Sequence, residues 1–366
     1  MAISRKYGVA AMMTMLGGAA MSNAHATDVK LYGIIDANIE AVSHNDPDSG
    51  TVKNFGLRSG GRSGSRFGFM GSEDLGNGTK AIFKLEAGFD VGNGESSHGG
   101  RLFGRQSYVG LKGDWGQLTL GRQNTPAFNF LTPYVPGLHG AQYEPVASLM
   151  PARADNSVAY AHKIGGLEFG GYYGFNSQAD QRDRDLSTTG SFGLAATYEF
   201  NKTYGITAAY DQYRGTSNLK GTLAQGDRGN VENYMVVARA MYQHLQLRIG
   251  YRYRDTDLSV EGMKSVKSHM YMVGVGYQFK PGTVVSISYY NEHFKNAPQG
   301  WMNSKKDTVH QVSLLGTYGL SKRTELYAVA SYSRNGPLNL GASSTYKLAE
   351  GTNSQIGGAL GIRHRF

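Results

Sequence analysis

In the run Leu245-Gln246-Leu247-Arg248-Ile249-Gly250-Tyr251-Arg252-Tyr253-Arg254, apolar Leu, Leu, Ile, Tyr and Tyr alternate with Gln, Arg, Gly, Arg and Arg. Successive Cβ atoms of a strand point to opposite faces, so one face of this segment is apolar and the other carries three guanidinium groups. The chemistry open to such a face is electrostatic. In a protein core those charges would each need a partner, whereas a water-filled lumen hydrates them. The same alternation sets Tyr271, Val273, Val275, Tyr277 and Phe279 against Met272, Gly274, Gly276 and Gln278. It also sets Leu194, Ala196, Tyr198 and Phe200 against Gly193, Ala195, Thr197 and Glu199.

Bond-making chemistry has no comparable arrangement. The 10 histidines are dispersed, and His162, His244, His269, His293, His310 and His364 fall on different strands or turns, none paired at a metal-ligand spacing. There is no G-x-S-x-G elbow, and with no cysteine there is no thiol catalyst and no cysteine-held zinc or iron–sulfur site. The run Ser59-Gly60-Gly61-Arg62-Ser63-Gly64-Ser65-Arg66 lacks a P-loop lysine and a following helical pattern. In Asp180-Gln181-Arg182-Asp183-Arg184-Asp185 the arginines neutralise the carboxylates that a calcium ion would need. These features argue against an enzyme, a metal site and a cofactor. The formal charge of +9 is scattered over alternate strand positions, not gathered in one tail or helix, which argues against a nucleic-acid partner.

The elements that position the cations are short alternating stretches: 29–42, 64–73, 79–90, 104–113, 116–122, 156–162, 167–174, 192–200, 204–213, 232–242, 245–255, 268–279, 283–293, 308–319, 323–333 and 354–366. Nearly every one has an apolar side, and the rest of the chain offers little to pack against it, so lipid is the partner. The expected fold is all-β, a closed antiparallel transmembrane barrel of about sixteen strands. The composition agrees: 51 Gly and 24 Tyr stand beside 15 Phe and 2 Trp, and tyrosine suits the membrane interface while glycine opens the lumen or the turns.

Residues 1–26 have the form of a cleaved export signal, with basic Arg5 and Lys6, an apolar stretch from Val9 to Ala20, and the small-residue site Ala24-His25-Ala26. The apolar stretch is well short of the ~20 residues that a helix needs to cross a bilayer. Residues 27–366 then form a single domain. Turns such as 112–116, 163–166, 280–282 and 320–322 are short, while 43–63, 91–103, 175–191, 214–231, 256–267, 294–307 and 334–353 are long and fall outside the cell, with both chain ends on the short-turn side. The longest gap, 123–155, holds Pro126, Pro133, Pro136, Pro145 and Pro151 and several aromatics. It is stiff enough to fold into the lumen and narrow it.

The segments Val29–Asp36, Ser65–Gly76, Ala81–Glu86, Leu102–Leu111, Gly116–Gln123 and Gly361–Phe366 together resemble the general porins of Gram-negative outer membranes, in particular their anion-preferring β-proteobacterial branch. The resemblance implies a sixteen-stranded homotrimer, an inward third loop, and a constriction where wall cations face acids of that loop. It maps the wall arginines onto Arg66, Arg105 and Arg153, places Arg122 where the third loop leaves strand five, and makes Phe366 a signal to the barrel-assembly machinery. Strand phase independently turns Arg66 to the lumen, because Phe67 and Phe69 flank it in the opposite sense, but leaves Arg105 undecided.

The inward loop departs from the enterobacterial pattern, since Glu144 is its only acid between Gln123 and Ala154. Four arginines opposed by one carboxylate leave a positive constriction, and anion preference follows. Lumen-facing Arg248 and Arg252 would extend a basic lane, within a wall that also carries Lys84 and Glu86. The expected function is passive diffusion of small hydrophilic solutes. The competing expectation is a barrel that only anchors external loops for surface recognition of a host, a phage or a partner. Trimer contacts are expected on strands one to five, with Glu95 of loop 91–103 as a latch.

Overall fold

A computed structural model describes residues 28–45, 55–137, 143–145, 151–175, 190–201, 203–215, 229–257, 264–296, 306–341, 346–349 and 351–366. The expected signal segment 1–26 and the run 180–185 lie outside the described residues. The strands are β1 (Asp28–Val42), β2 (Phe55–Ser59), β3 (Arg66–Gly76), β4 (Thr79–Gly88), β5 (Gln106–Gly113), β6 (Gly116–Asn124), β7 (Arg153–Ile164), β8 (Leu167–Gly174) and β9 (Phe192–Glu199). They continue as β10 (Tyr204–Gly215), β11 (Gly229–Tyr242), β12 (Leu245–Asp257), β13 (Val266–Lys280), β14 (Thr283–Lys295), β15 (Thr308–Gly319), β16 (Thr324–Arg334) and β17 (Ser354–Arg365).

Apart from β2 and β3, which do not pair with each other, every strand pairs antiparallel with its chain neighbours, and β1 closes the ring against β17, in register from Ile34↔Arg365 to Val42↔Gly357. Closure removes the sheet edges that lipid could not satisfy. β2 and β3 are two halves of one stave, because both pair with β1: β2 along Ala37–Ala41 and β3 along Asp28–Ile34. The barrel therefore has sixteen staves. The expected loop 43–63 is corrected here, since Phe55–Ser59 is strand. Only five residues long and followed by Gly60-Gly61, it lacks the length that makes an alternation readable.

Alternation sorts the side chains as the sequence implies. Outward, Leu31, Ile35, Ile39, Leu247, Ile249, Val275 and Ile287 are exposed, a surface that only hydrocarbon accommodates. Inward, Asp36, Glu86, Arg252, Glu292, Gln311 and Ser313 are buried. Tight turns at one end, such as those through Gly165 (φ +58) and Gly282 (φ +79), need the left-handed backbone that glycine adopts without strain. The long connections lie at the other end.

Candidate pore constriction

Chain 125–137 leaves β6 and turns into the barrel. Thr125 caps a short helix, Pro126–Leu131, by accepting from the Phe128 N–H at 3.1 Å, with Pro126 in the first helical turn where its missing N–H costs nothing. The Thr125 hydroxyl also donates to the Pro151 carbonyl at 2.8 Å, which ties the two ends of the inward segment together. Ala127, Phe130, Leu131, Tyr134 and Val135 pack on inward residues of the barrel wall, including Ala195, Ala209, Met235, Val237 and Met272. The inner wall on this side is thus apolar because the segment covers it.

Further along, Pro136 runs directly over Gly274, where an added Cβ would come within 2.6 Å of the Pro136 Cβ. Tyr134 reaches Glu199, and Arg239 lies 4.6 Å over the Tyr134 ring while pairing with Glu199 at 2.6 Å. Tyr143 donates to Glu40 at 2.8 Å and accepts at its carbonyl from Gln311 at 2.7 Å. The segment is therefore pinned along the wall from β9 round to β15 and β1.

The opposite wall carries the cations. Arg66, at the start of β3, donates to the Gly64 carbonyl at 2.9 Å. Arg105, one residue before β5, pairs with Glu86 at 2.7 Å, and the same carboxylate takes the Tyr32 hydroxyl at 2.8 Å and lies 3.9 Å from Lys84. Arg122 on β6 bonds the Gly104 carbonyl at 2.7 Å and pairs with Asp155, which Arg101 also reaches at 3.0 Å. Arg153, the first residue of β7, comes within 3.4 Å of His98 Nε2. Burial, with Arg153, Arg105 and Arg122 around it, pushes the His98 imidazole down to about 3, so it adds no charge. Arg66, Arg105, Arg122 and Arg153 are thus brought together, joined by Lys84 and Arg101: six cations against two carboxylates, Glu86 and Asp155.

Three expectations need correction. Glu144 does not oppose these arginines. Its carboxylate is buried on the other wall, accepting from Tyr290 and the Gly137 N–H with Arg248 nearby, because the segment's own packing turns it away from the aperture. Burial pushes its carboxyl up to about 7. Arg252 points inward but is fully buried and paired with Glu292, to which Arg254 adds a contact at 3.8 Å, so it lines no open lane. Arg248, 6% exposed, is likewise covered.

The sequence reasoning missed two features. Asp155 supplies the acid expected of Glu144, yet a register shift between Gly121 and Gln123 and a left-handed Asn156 (φ +46) break the strand phase there, so alternation does not place it. The second is an inward excursion, Gly60–Ser65, that interrupts the second stave. Asp36 holds it, accepting from the Arg62 and Ser63 N–H groups at 3.1 and 2.7 Å and from the Tyr327 hydroxyl at 2.6 Å. Arg62 reaches Glu325, which also pairs with Arg363 at 2.7 Å. The glycines of the run were legible as a break, but its direction was not.

Comparison with known proteins places this architecture. The profile of the Gram-negative porin family matches residues 8–337. The chain is 31% identical to an outer membrane porin protein of Bordetella pertussis, over 98% of each chain, and 27% identical to outer membrane porin protein 32 of Delftia acidovorans, over 99% of this chain and 100% of that one. Among solved structures, an anion-selective porin from Comamonas acidovorans superposes with a TM-score of 0.74 at 26% identity, covering 93% of this chain and all of the other.

Proposed function

The chain belongs to the Gram-negative porin family and forms an outer-membrane channel, and from that premise we propose that it passes small hydrophilic anions in preference to cations, sorted where the inward segment 125–137 faces the arginine wall. The observation that carries this reading is the charge balance of Arg66, Lys84, Arg101, Arg105, Arg122 and Arg153 against Glu86 and Asp155. Walls of low dielectric focus such a field into the aqueous path, where it raises the local anion concentration and depletes cations. The named anion selectivity of the Comamonas relative supports the same direction.

Permeation on this reading is passive. A solute small enough to pass the pinned inward segment sheds part of its hydration while the guanidinium groups supply compensating donors to its negative atoms. No covalent step is required, and Arg66, Arg105, Arg122 and Arg153 act as charges and donors alone. The barrel assembles as a homotrimer through its first five staves, with Glu95 on its exposed loop as a latch. Residues 1–26 direct export and are removed, and Phe366, whose backbone pairs with Gly33 at 3.1 Å, presents the terminal aromatic to the assembly machinery. A wall with this much concentrated charge has no use in a barrel that only anchors recognition loops.

The test is the reversal potential of the purified protein in a planar bilayer under a potassium chloride gradient. The expected sign is that of chloride preference. Potassium preference would overturn the assignment of the arginine wall, and absence of conductance would overturn the open aqueous path.

A further inference from the structure

Loop 91–103 is tied to its own barrel. A backbone bridge joins Phe89 to Ser96, and Arg101 pairs with Asp155 at 3.0 Å. Between these anchors the chain turns through three successive left-handed residues, His98 (φ +59), Gly99 (φ +73) and Gly100 (φ +79). Glycine takes that backbone freely, whereas a residue with a Cβ takes it under strain, and His98 is the member of the turn that bears a side chain. Strain of this kind persists where the surroundings hold the side chain in one place.

The imidazole lies in a slot lined by glycine. A Cβ added to Gly88 of β4 would come within 2.9 Å of the His98 Nδ1 and Cε1, and one added to Gly104 within 2.7 Å of its Cβ. Arg153 Nη1 donates to the ring's Nε2 at 3.4 Å. A guanidinium has donors only, so Nε2 accepts and the ring proton resides on Nδ1. Burial and the arginines around it keep the ring neutral.

The groups that hold the wall cations differ in charge. Glu86 holds Arg105 and lies beside Lys84, and Asp155 holds Arg101 and Arg122, so each of these anchors subtracts from the charge of the wall. Arg66 and Arg153 are held instead by neutral acceptors, the Gly64 carbonyl and the His98 ring. Among the described residues Arg153 forms no ion pair, and its Nε has no partner. A carboxylate at position 98 would bond the guanidinium more strongly but offset its charge.

We infer that His98 is a specificity-determining residue of the channel: a neutral brace, supplied by loop 91–103, that fixes Arg153 in the aperture and leaves its charge available to permeating anions. The inference rests on the anion reading above and deepens it. His98 acts through Arg153 and is a positioning residue. The same contact gives loop 91–103 a place in the pore of its own subunit.

The experiment is the reversal potential of the purified full-length channel in a planar bilayer under a potassium chloride gradient at low salt. Gln and Glu are alike in shape and in strain at a left-handed backbone, so H98Q and H98E differ by one charge. H98Q should keep the wild-type chloride-to-potassium ratio, and H98E should lower it roughly fourfold, the shift for one wall charge about 6 Å from the ion. H98A, which removes the brace, should lower the ratio toward that of R153Q, and H98A/R153Q should match R153Q alone. A ratio in H98E equal to that in H98Q overturns the role of His98 in selectivity. Effects of H98A and R153Q that add, or a wild-type ratio in H98A, overturn its action through Arg153. Conduction by each variant establishes that its barrel is intact. Potassium preference in wild type would instead overturn the anion reading itself, so the two failures are distinct.

Discussion

Replacing Arg66 by Gln removes one of six wall cations without unpairing a carboxylate, because its guanidinium bonds a backbone carbonyl, that of Gly64. The net wall charge falls from four to three. An ion passing about 6 Å from that group in a water-filled aperture feels about 0.7 kcal/mol from it, which screening over a Debye length of about 10 Å at 0.1 M salt reduces to about 0.4 kcal/mol. The effect has opposite sign for chloride and potassium, so their permeability ratio shifts by about 0.8 kcal/mol, or roughly fourfold. Arg66→Glu doubles the charge change and should shift the ratio by roughly fifteenfold on the same arithmetic. Reversal potentials under a potassium chloride gradient measure both. At about 1 M salt, where the Debye length is about 3 Å, the differences should largely vanish. A ratio unchanged in Arg66→Glu at low salt, or a shift that survives high salt undiminished, would refute the electrostatic reasoning.

Other perturbations address what holds the lumen in shape. Asp36→Ala orphans two backbone N–H groups and the Tyr327 hydroxyl, and at about 1 kcal/mol or more for each unmet donor thermal unfolding followed by circular dichroism should move several degrees down. Gly274→Val drives a side chain into Pro136, so the inward segment should leave the wall and single-channel conductance should change, while the outward Val275→Leu leaves it alone. The Glu144 carboxyl, raised to about 7 by burial, favours the folded segment when protonated. That contribution is full below an ordinary glutamate value, falls as pH rises, and is gone above about 7. Conductance should accordingly vary between about pH 5 and 8 in wild type and be flat in Glu144→Gln, as single-channel recording across that range would reveal.

The staves were legible because lipid on one side and polar lumen on the other impose a strict period of two, seen at its clearest in β12 and β13. Sixteen staves follow from that rhythm. The inward direction of the described part of the connection 123–155, residues 125–137 and 143–145, was legible too, through its prolines and aromatics. What alternation could not reach were places where the backbone leaves the strand. Asp155 is turned by the bulge at Asn156, Arg62 rides on an excursion whose anchor Asp36 lies 26 positions earlier, and Glu144 is aimed by tertiary packing against Tyr290. Arg252 was read with the correct face but the wrong environment, because its partner Glu292 is 40 positions away in sequence.

These misses share a cause that bears on how the pore works. A sequence reader treats the inner face as one polar surface, yet the inner wall from β9 to β13 presents Ala195, Ala209, Met235, Val237 and Met272 to the inward segment. The arc from β3 to β7, with Gly60–Ser65 beside it, carries the charged face formed by Arg66, Lys84, Arg101, Arg105, Arg122 and Arg153. An apolar half is needed if a proline-rich segment is to stay down without paying for buried charge, and two of the cations that enter that half are paired with carboxylates, Arg252 with Glu292 and Arg239 with Glu199. The division places the fixed segment and the selective charges on facing walls. Substitutions on the β9–β13 arc should therefore alter aperture size, and those on the β3–β7 arc ion preference. A variant such as Met235→Gln that changed the chloride-to-potassium ratio as much as Arg66→Gln, with conductance unchanged, would show that the two walls do not divide these roles.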